Sequence, residues 1–590
     1  MKKLTLLLAL LLAVLQINAA PALRGAFTVR QADGTLLTIE QFGDEHHHWT
    51  ATTDGTMVVN TGHGYFVAQI DEQGQLQATD VLAHEADQRS DEEQRLVERQ
   101  AQRRTLFHQQ GEAARRRALS IGSNSYYKYF PHTGSPRVLC ILAEFQDVKF
   151  TVNEPQQAFY QMMNGNEQKD MGNHNQNNVA SVRQFFEVSS HGVFTPEFDV
   201  VGPVTLPKKM ADYGGKKDDG SDDQFNLFCK DAIAKVKEDG LVSDWGRYDN
   251  DGDKKCELVC IIYAGYGQNQ GGDNNTIWAK ASMQNIKADD NHTLSFFNCS
   301  CELFHNDPRY VGYINGTGVF LHEMSHCMGL PDLYVTVSSG YANNQGMETW
   351  DLMDYGCYNR NGYAPSLYTA WEQEAMGWID IEPVTEARQL TSLVPLEEGG
   401  KAYKIVNPDN DKEFIVMENI QQRGLNQYAY GHGLLVYHVA YPNTTVNMGD
   451  RINNTVGRPG VAVVPAGGTL ISSYLRGTGK SYTNAQWKES LASSTFPGTL
   501  GAYTLSAELG LPNYCFYVGY SSTKAVDFTL TGITEDALGG ITFNIETTAI
   551  LTPKINADSL PTKIFTLDGR LLSAPQRGLN IINGRKVLKK

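Results

Sequence analysis

Three periods of apolar and polar residues alternate along this chain, and the changes of period mark its regions. Leu4 to Leu15 is an apolar run, interrupted only by Thr5, behind Lys2 and Lys3, and the small residues Asn18-Ala19-Ala20 or Ala20-Pro21-Ala22 follow. The run is too short to span a bilayer comfortably, and its flanks predict a secretory signal over residues 1–20. From 23 to about 84, short apolar runs alternate with turns such as Ala32-Asp33-Gly34 and Thr53-Asp54-Gly55, which predicts a small β-rich module. Residues 85–119 are charged, poor in Gly and Pro and studded with Arg, as expected of an exposed helix or loose linker.

The period changes at Arg137–Phe150, RVLCILAEFQDVKF, where a continuous apolar stretch predicts a buried central strand. A helix is expected around Val179–Glu187 and a second apolar strand at Leu258–Ala264. Strands and helices alternate in this way over 119–380, so an α/β domain with a mixed sheet is predicted there. From 381 to 548 the pattern is one of short strands, at Tyr403–Val406, Phe414–Glu418, Gly433–Val439, Gly460–Val464 and within Phe528–Ile545, which predicts an all-β, sandwich-like region. The tail, 549–590, closes on short strand-like runs and a Lys/Arg cluster. The fold class expected is multidomain α+β.

The stretch with the most chemistry is Val319 to Asp332, VFLHEMSHCMGLPD. His322 and His326 are four residues apart, so a helix sets both imidazoles on one face, one turn above the other. Two imidazoles so placed can ligate a single Zn²⁺, and Glu323 beside them can hold a water as general base. Val319, Phe320, Leu321, Met324, Cys327 and Met328 supply the apolar surface that buries such a helix. Gly329 offers the positive φ that ends it, and Pro331 cannot continue it. Past that turn Asp332 can swing back as the third ligand. Glu372 and Glu374, in AWEQEAMGW, are alternatives if the site follows the thermolysin-like rule of a distant glutamate. In DNDGDKKCE, the oxygens of Asp249, Asp251, Asp253 and Glu257 match positions 1, 3, 5 and 9 of a calcium loop. Lys254, however, stands where the sharp turn wants Gly, and no Glu falls at position 12.

HEMSHCMGLPDLY resembles the zinc motif of the immune inhibitor A metallopeptidases, secreted bacterial proteases with a metzincin-like catalytic domain. SVRQFFEVSSHGVF at 181–194, YDNDGDKKCELVCIIYAGYG at 248–267, AWEQEAMGWI at 370–379 and GHGLLVYHVAY at 431–441 are similar to further blocks of that family. The resemblance implies a methionine on a tight turn beneath the metal, a role that Met353 in WDLMDYG fits. It also implies that Tyr355 reaches the metal or the reacting carbonyl. By likeness to the leaders of related exported proteases, 21–118 is expected to be a propeptide. Arg103-Arg104 and Arg115-Arg116-Arg117 are its candidate cut points. The tail 563–590 resembles a short C-terminal sorting signal of the type IX (Por) export route, which implies outer-membrane secretion machinery as a partner. The alternative is a hairpin that completes the preceding sandwich.

Composition narrows the partners. A net charge of −16 on 590 residues disfavours nucleic acid and anionic membranes, and no later apolar stretch is long enough to span a bilayer. Nine cysteines leave at least one thiol free, and none precedes Cys140, so no propeptide thiolate can block the metal. Cys256/Cys260 and Cys299/Cys301 read as buried strand positions or local bridges. The expectation is a secreted or cell-surface metalloendopeptidase that uses Zn²⁺, with Ca²⁺ as a second candidate ion, and cleaves proteins or peptides. The alternative is an inert, surface-displayed binding protein on the same scaffold.

Overall fold

The structure, a computed structural model, describes residues 27–43, 48–61, 64–72, 76–115, 120–121, 128–165, 178–214, 224–267, 269, 275–304, 312–335, 346–443, 445–476, 481–519 and 521–547, and strand segments of the tail. The expected signal at 1–20 and the candidate cut points Arg116 and Arg117 lie outside the described residues.

The alternating segment near the N-terminus forms an antiparallel meander of six strands in sequential order. They are β1 (Phe27–Arg30), β2 (Leu36–Gly43), β3 (His48–Thr52), β4 (Met57–Asn60), β5 (Tyr65–Ile70) and β6 (Leu76–Leu82). The charged stretch is helix α1 (Asp91–Arg115). It lies on the sheet and is not a loose linker. Leu96 and Val97 pack on Leu37, Ile39, Val58 and Val67, and buried Gln100 bonds the backbone of Met57 and Ala68. Arg103 and Arg104 therefore sit inside a helix, and Arg103 donates to the Ile70 carbonyl at 2.9 Å. A short strand, β7 (Ser120–Ile121), follows.

The α/β region holds a five-stranded mixed sheet in the order β11-β12-β10-β8-β9. Strands β8 (Arg137–Glu144), β9 (Glu197–Thr205), β10 (Lys255–Tyr266) and β12 (Thr293–Leu303) are parallel neighbours, and β11 (Lys280–Lys287) runs antiparallel at the edge. The apolar runs of β8 and β10 are continuous because both faces are covered. Cys140, Leu142, Cys260 and Ile262 face α2 (Pro155–Asn164), α3 (Val182–Ser189) and α5 (Thr317–Cys327). Leu139, Ile141, Val259 and Ile261 face α4 (Phe225–Glu238). The cysteines follow the same alternation: all nine are unpaired, and all but half-buried Cys515 are buried.

Beyond α6 (Ala370–Ala375) come β13 (Glu382–Pro383), β14 (Arg388–Leu393), β15 (Tyr403–Asn407), β16 (Asn410–Ile420), β17 (Gly433–Ala440), β18 (Thr445–Val446) and β19 (Val461–Val463). Helix α7 (Asn484–Ala492) precedes β20 (Cys515–Val518), β21 (Ser522–Ala525), β22 (Phe528–Glu535) and β23 (Ile541–Thr547). The sheet β13-β15-β16-β17-β19 packs one face on the sheet β14-β23-β22 through Ile405, Ile415, Val436, Leu530 and Phe543. Its other face, with Val416, Leu435, Tyr437 and Val463, joins the core that buries α5 and α6. The core is thus continuous across residue 380, and β18 pairs back with β7. In the tail, Ile564–Phe565, Leu571–Leu572, Gly578–Ile582 and Arg585–Lys589 pair among themselves as a four-stranded sheet. No helix among the described residues is long and apolar enough to cross a membrane.

Buried polar groups stitch α6 to the β region. Glu418, 1 % exposed on β16, accepts the Ala370 N–H at 3.0 Å, and the Trp371 N–H donates to the Tyr437 hydroxyl at 3.2 Å. Burial pushes the Glu418 carboxyl up to about 7. The folded state then holds this proton more tightly than the unfolded chain does, so its contribution is full below the unfolded carboxyl pKa and is lost as pH rises through 7. Between pH 5 and 8 wild type should lose stability relative to Glu418→Gln, by about 2 kcal/mol once solvent relaxation is allowed for. Denaturant melts of both proteins at the two pH values check this. A gap that does not change with pH rules out Glu418 as the titrating group.

Candidate metal centre

Helix α5 is apolar nearly all round because it runs through the core rather than over it. All of its side chains are buried except Glu323, which is half-exposed. Its N-terminal turn approaches the 355–362 segment so closely that a Cβ on Gly318 would lie 2.0 Å from the Cys357 carbonyl oxygen. The helix ends as its sequence suggests. Gly329 takes φ +102°, its N–H bonds the His326 carbonyl, and the Leu330 N–H bonds the Ser325 carbonyl, the paired bonds of a Schellman cap. Gly329 is needed for space as well, since a Cβ there would meet Ile121 at 2.1 Å.

This cap turns the chain so that Asp332 returns to the helix. Asp332 Oδ1 lies 3.3 Å from His322 Nε2 and 3.2 Å from His326 Nε2. Both imidazoles are held from behind: His322 Nδ1 donates to the Leu352 carbonyl at 3.0 Å, and His326 Nδ1 to the Leu330 carbonyl at 2.7 Å. These bonds fix the N–H on Nδ1 and present both Nε2 lone pairs to one point. Asp332 Oδ1 is buried and receives no well-aligned hydrogen bond. Among the described residues, ligand atoms of His322, His326 and Asp332 all lie within 4.8 Å of one another. An orphaned carboxylate oxygen between two oriented imidazole nitrogens fits a small divalent cation, and the N₂O donor set suits zinc.

The two imidazoles and the two carboxylates are electrostatically linked. Burial works to lower the His322 pKa, but the Asp332 contact and the Glu323 charge outweigh it and hold it at about 9. Burial works to raise Asp332, yet the two imidazoles hold its carboxyl far below the usual range. Burial pushes the Glu323 carboxyl upward.

Met353 is fully buried on a turn beneath the helix. The Leu333 N–H donates to the Met353 carbonyl at 2.9 Å, and the adjacent Leu352 carbonyl holds His322, so this turn grips both the loop of Asp332 and the first histidine. Tyr355 follows and lines a cavity of about 280 Å³ together with His322, Glu323, Trp278, Tyr334 and Tyr474. The distant glutamates are engaged elsewhere. Glu374 accepts from the Ile381 N–H and from Lys404 Nζ. Glu372 accepts from Thr369 in a capping box and faces Asp351, and burial pushes its carboxyl well above the ordinary range. Neither belongs to the histidine group.

In the acidic loop, Asp249, Asp251 and Glu257 each bring an oxygen within 4.8 Å of the others, but Asp253 stands outside. Asp253 Oδ1 accepts its own loop's Lys255 N–H and its Oδ2 faces Lys128 Nζ. Lys254 makes the sharp turn itself, with φ +69°, where a calcium loop uses glycine.

Several residues around the centre escape sequence reading. Tyr334 stacks 6.3 Å from His322, and its spacing of two from Asp332 was the available signal. Trp278, Tyr474, Arg476 and Asn453 carry no such signal. Asn453 is buried and holds the ligand loop by donating to the Leu333 carbonyl at 2.6 Å from 120 residues away.

A mixed sheet, a buried helix with two histidines on one face, a carboxylate returned by a glycine turn and a methionine turn beneath define a metallopeptidase domain. Residues 127–379 match the family described as immune inhibitor A peptidase M6, catalytic domain. Immune inhibitor A of Bacillus thuringiensis subsp. alesti is 25% identical over 224 residues, covering 33% of this chain and 31% of that protein. Pre-pro-metalloprotease PrtV of Vibrio cholerae serotype O1 (strain M66-2) is 22% identical over 372 residues, 56% of this chain and 38% of that protein. The chain thus spans about a third of the length of the curated relatives it matches. The resemblance read from the zinc motif is borne out.

Proposed function

We propose that this chain is a secreted, zinc-dependent endopeptidase made as a zymogen, with His322, His326 and Asp332 as zinc ligands. The observation that carries the reading is Asp332 Oδ1, buried without an aligned donor between two imidazole nitrogens whose tautomers are fixed from behind. Zinc held there supplies a Lewis acid that polarises the scissile carbonyl and brings a water's pKa toward neutrality. Glu323, the half-exposed side chain of α5, takes the water's proton and passes it to the leaving amine. Tyr355 donates its hydroxyl proton to the developing oxyanion. The edge strand β11, antiparallel and paired on one side only among the described residues, offers a backbone ladder for an extended peptide substrate.

The zymogen reading rests on the separate core of the N-terminal module and on the relative named as a pre-pro-metalloprotease. Export rests on the apolar run behind Lys2 and Lys3 and on the tail's likeness to a sorting signal, which makes outer-membrane secretion machinery a partner. Calcium is proposed at Asp249, Asp251 and Glu257, because Glu257 is 3 % exposed with Oε1 lacking any donor.

One preparation of the active protein tests all of this. Metal analysis should find about one zinc per chain, together with bound calcium, and cleavage of labelled casein should stop with 1,10-phenanthroline and return with zinc. N-terminal sequencing should read a start near 104–118. Chelator-indifferent cleavage overturns the peptidase mechanism, absence of calcium removes the second ion, and a start at 21–23 removes the zymogen.

A further inference from the structure

Tyr355 lines the cavity with Glu323, and its phenol is held from outside residues 127–379. The Asp354 carboxylate fixes the backbone on one side, accepting the N–H groups of Tyr355, Met347 and Glu348. The phenol itself is held by Arg476. The Arg476 guanidinium donates through Nη2 to the Tyr355 hydroxyl. It lies 3.9 Å from the centre of the Trp487 ring and 4.6 Å from that of Tyr355.

Arg476 is itself built in. It follows a single 3₁₀ turn, Ser473–Leu475, whose cap is the Ser472 hydroxyl accepting the Tyr474 N–H. Buried Glu348 ties this turn and Trp487 together, accepting the Ser473 N–H at 2.8 Å and the Trp487 indole N–H at 3.4 Å. Glu348 does so from a left-handed conformation, φ +52°, that a non-glycine residue adopts only when its surroundings demand it. The chain Glu348, Trp487, Arg476, Tyr355 therefore leaves the matched segment at Glu348, passes through the downstream region and returns at Tyr355.

We propose that Arg476 is a positioning residue for Tyr355, so that the peptidase site is completed by the region downstream of the matched catalytic domain. A phenol carries one proton. By donating to one lone pair of the Tyr355 oxygen, Arg476 leaves the O–H free to point into the cavity, toward the place where a carbonyl oxygen gains charge. Burial raises the Tyr355 pKa, and the neighbouring guanidinium charge opposes that rise, which makes the O–H a better donor. The planar guanidinium stacked on Trp487 also limits where the phenol can move.

This inference rests on the peptidase reading, and the experiment separates the two. Full-length active protein bearing Arg476→Ala, Arg476→Lys, Tyr355→Phe and the double change Tyr355→Phe/Arg476→Ala is assayed on fluorescein-labelled casein. Zinc content and thermal midpoint are measured alongside. Arg476→Ala should lower kcat by about 10- to 50-fold, a share of what losing an oxyanion donor costs, with KM within about twofold. Arg476→Lys, which keeps the charge but not the fork, should recover part of kcat at unchanged zinc content. In the Tyr355→Phe background, removing Arg476 should cost less than about twofold more, because the group it positions is gone. An undiminished loss in that background, a loss confined to KM, or a fall in zinc content and thermal midpoint shared by Arg476→Ala and Arg476→Lys overturns the proposal. If instead Glu323→Gln leaves cleavage intact, it is the peptidase reading that fails.

Discussion

Glu323→Gln is expected to keep its zinc and its fold while losing proteolysis by at least ~10²-fold, the loss that follows removal of a general base. The expectation comes from where this one side chain stands. Every other residue of α5 is buried against the sheet or the methionine turn, whereas Glu323 is half-exposed and lines the cavity with His322, Tyr334 and Tyr355. Burial raises its carboxyl above the ordinary carboxylate range. Glutamine matches its shape, and neither histidine leans on it for its tautomer, since those bonds run to Leu352 and Leu330. Zinc content, thermal midpoint and casein cleavage should be measured together. Activity within about fivefold of wild type would falsify the assignment of Glu323 as base.

Asp332→Ala should weaken zinc binding by more than ~10²-fold, beyond the cost of losing a partner that only orients a ligand. Glu374→Ala and Glu372→Gln should leave it within about threefold. The two glutamates have other work: Glu374 is salt-bridged to Lys404, and Glu372 caps α6 and faces Asp351 under the turn. Removing Asp332 strips away the oxygen that both imidazoles face and leaves two nitrogen ligands. Competition against a colorimetric zinc chelator gives the three affinities. If zinc is lost with Glu372 or Glu374 and kept without Asp332, the centre belongs to the distant-glutamate class.

Much of this was legible in the residues. HEMSHCMGLPD carries its own local instructions: a four-residue spacing for two imidazoles, a glycine that alone tolerates φ +102°, and an aspartate three residues later. The parallel core was legible for a similar reason, because strands covered on both faces must be apolar at every position, as in RVLCILA and LVCIIYA. Other readings needed the third dimension. Asp253 matched a calcium spacing in one dimension, yet its carboxylate turns to Lys255 N–H and to Lys128, more than a hundred residues away. The charged stretch at 85–119 read as an exposed helix or loose linker, and only packing shows Leu96, Val97 and Gln100 of that helix seated on the sheet.

By itself the sequence determined which side chains could meet a metal and that a helix would carry two of them, because those are short-range matters of period, φ and volume. Only the tertiary structure decided what surrounds them. The Asn453 bond to Leu333 and the Arg476 bond to Tyr355 join segments 120 or more residues apart, and the core is shared across residue 380. No local pattern encodes such contacts, since any surface arginine or loop asparagine reads the same until the chain has folded around it.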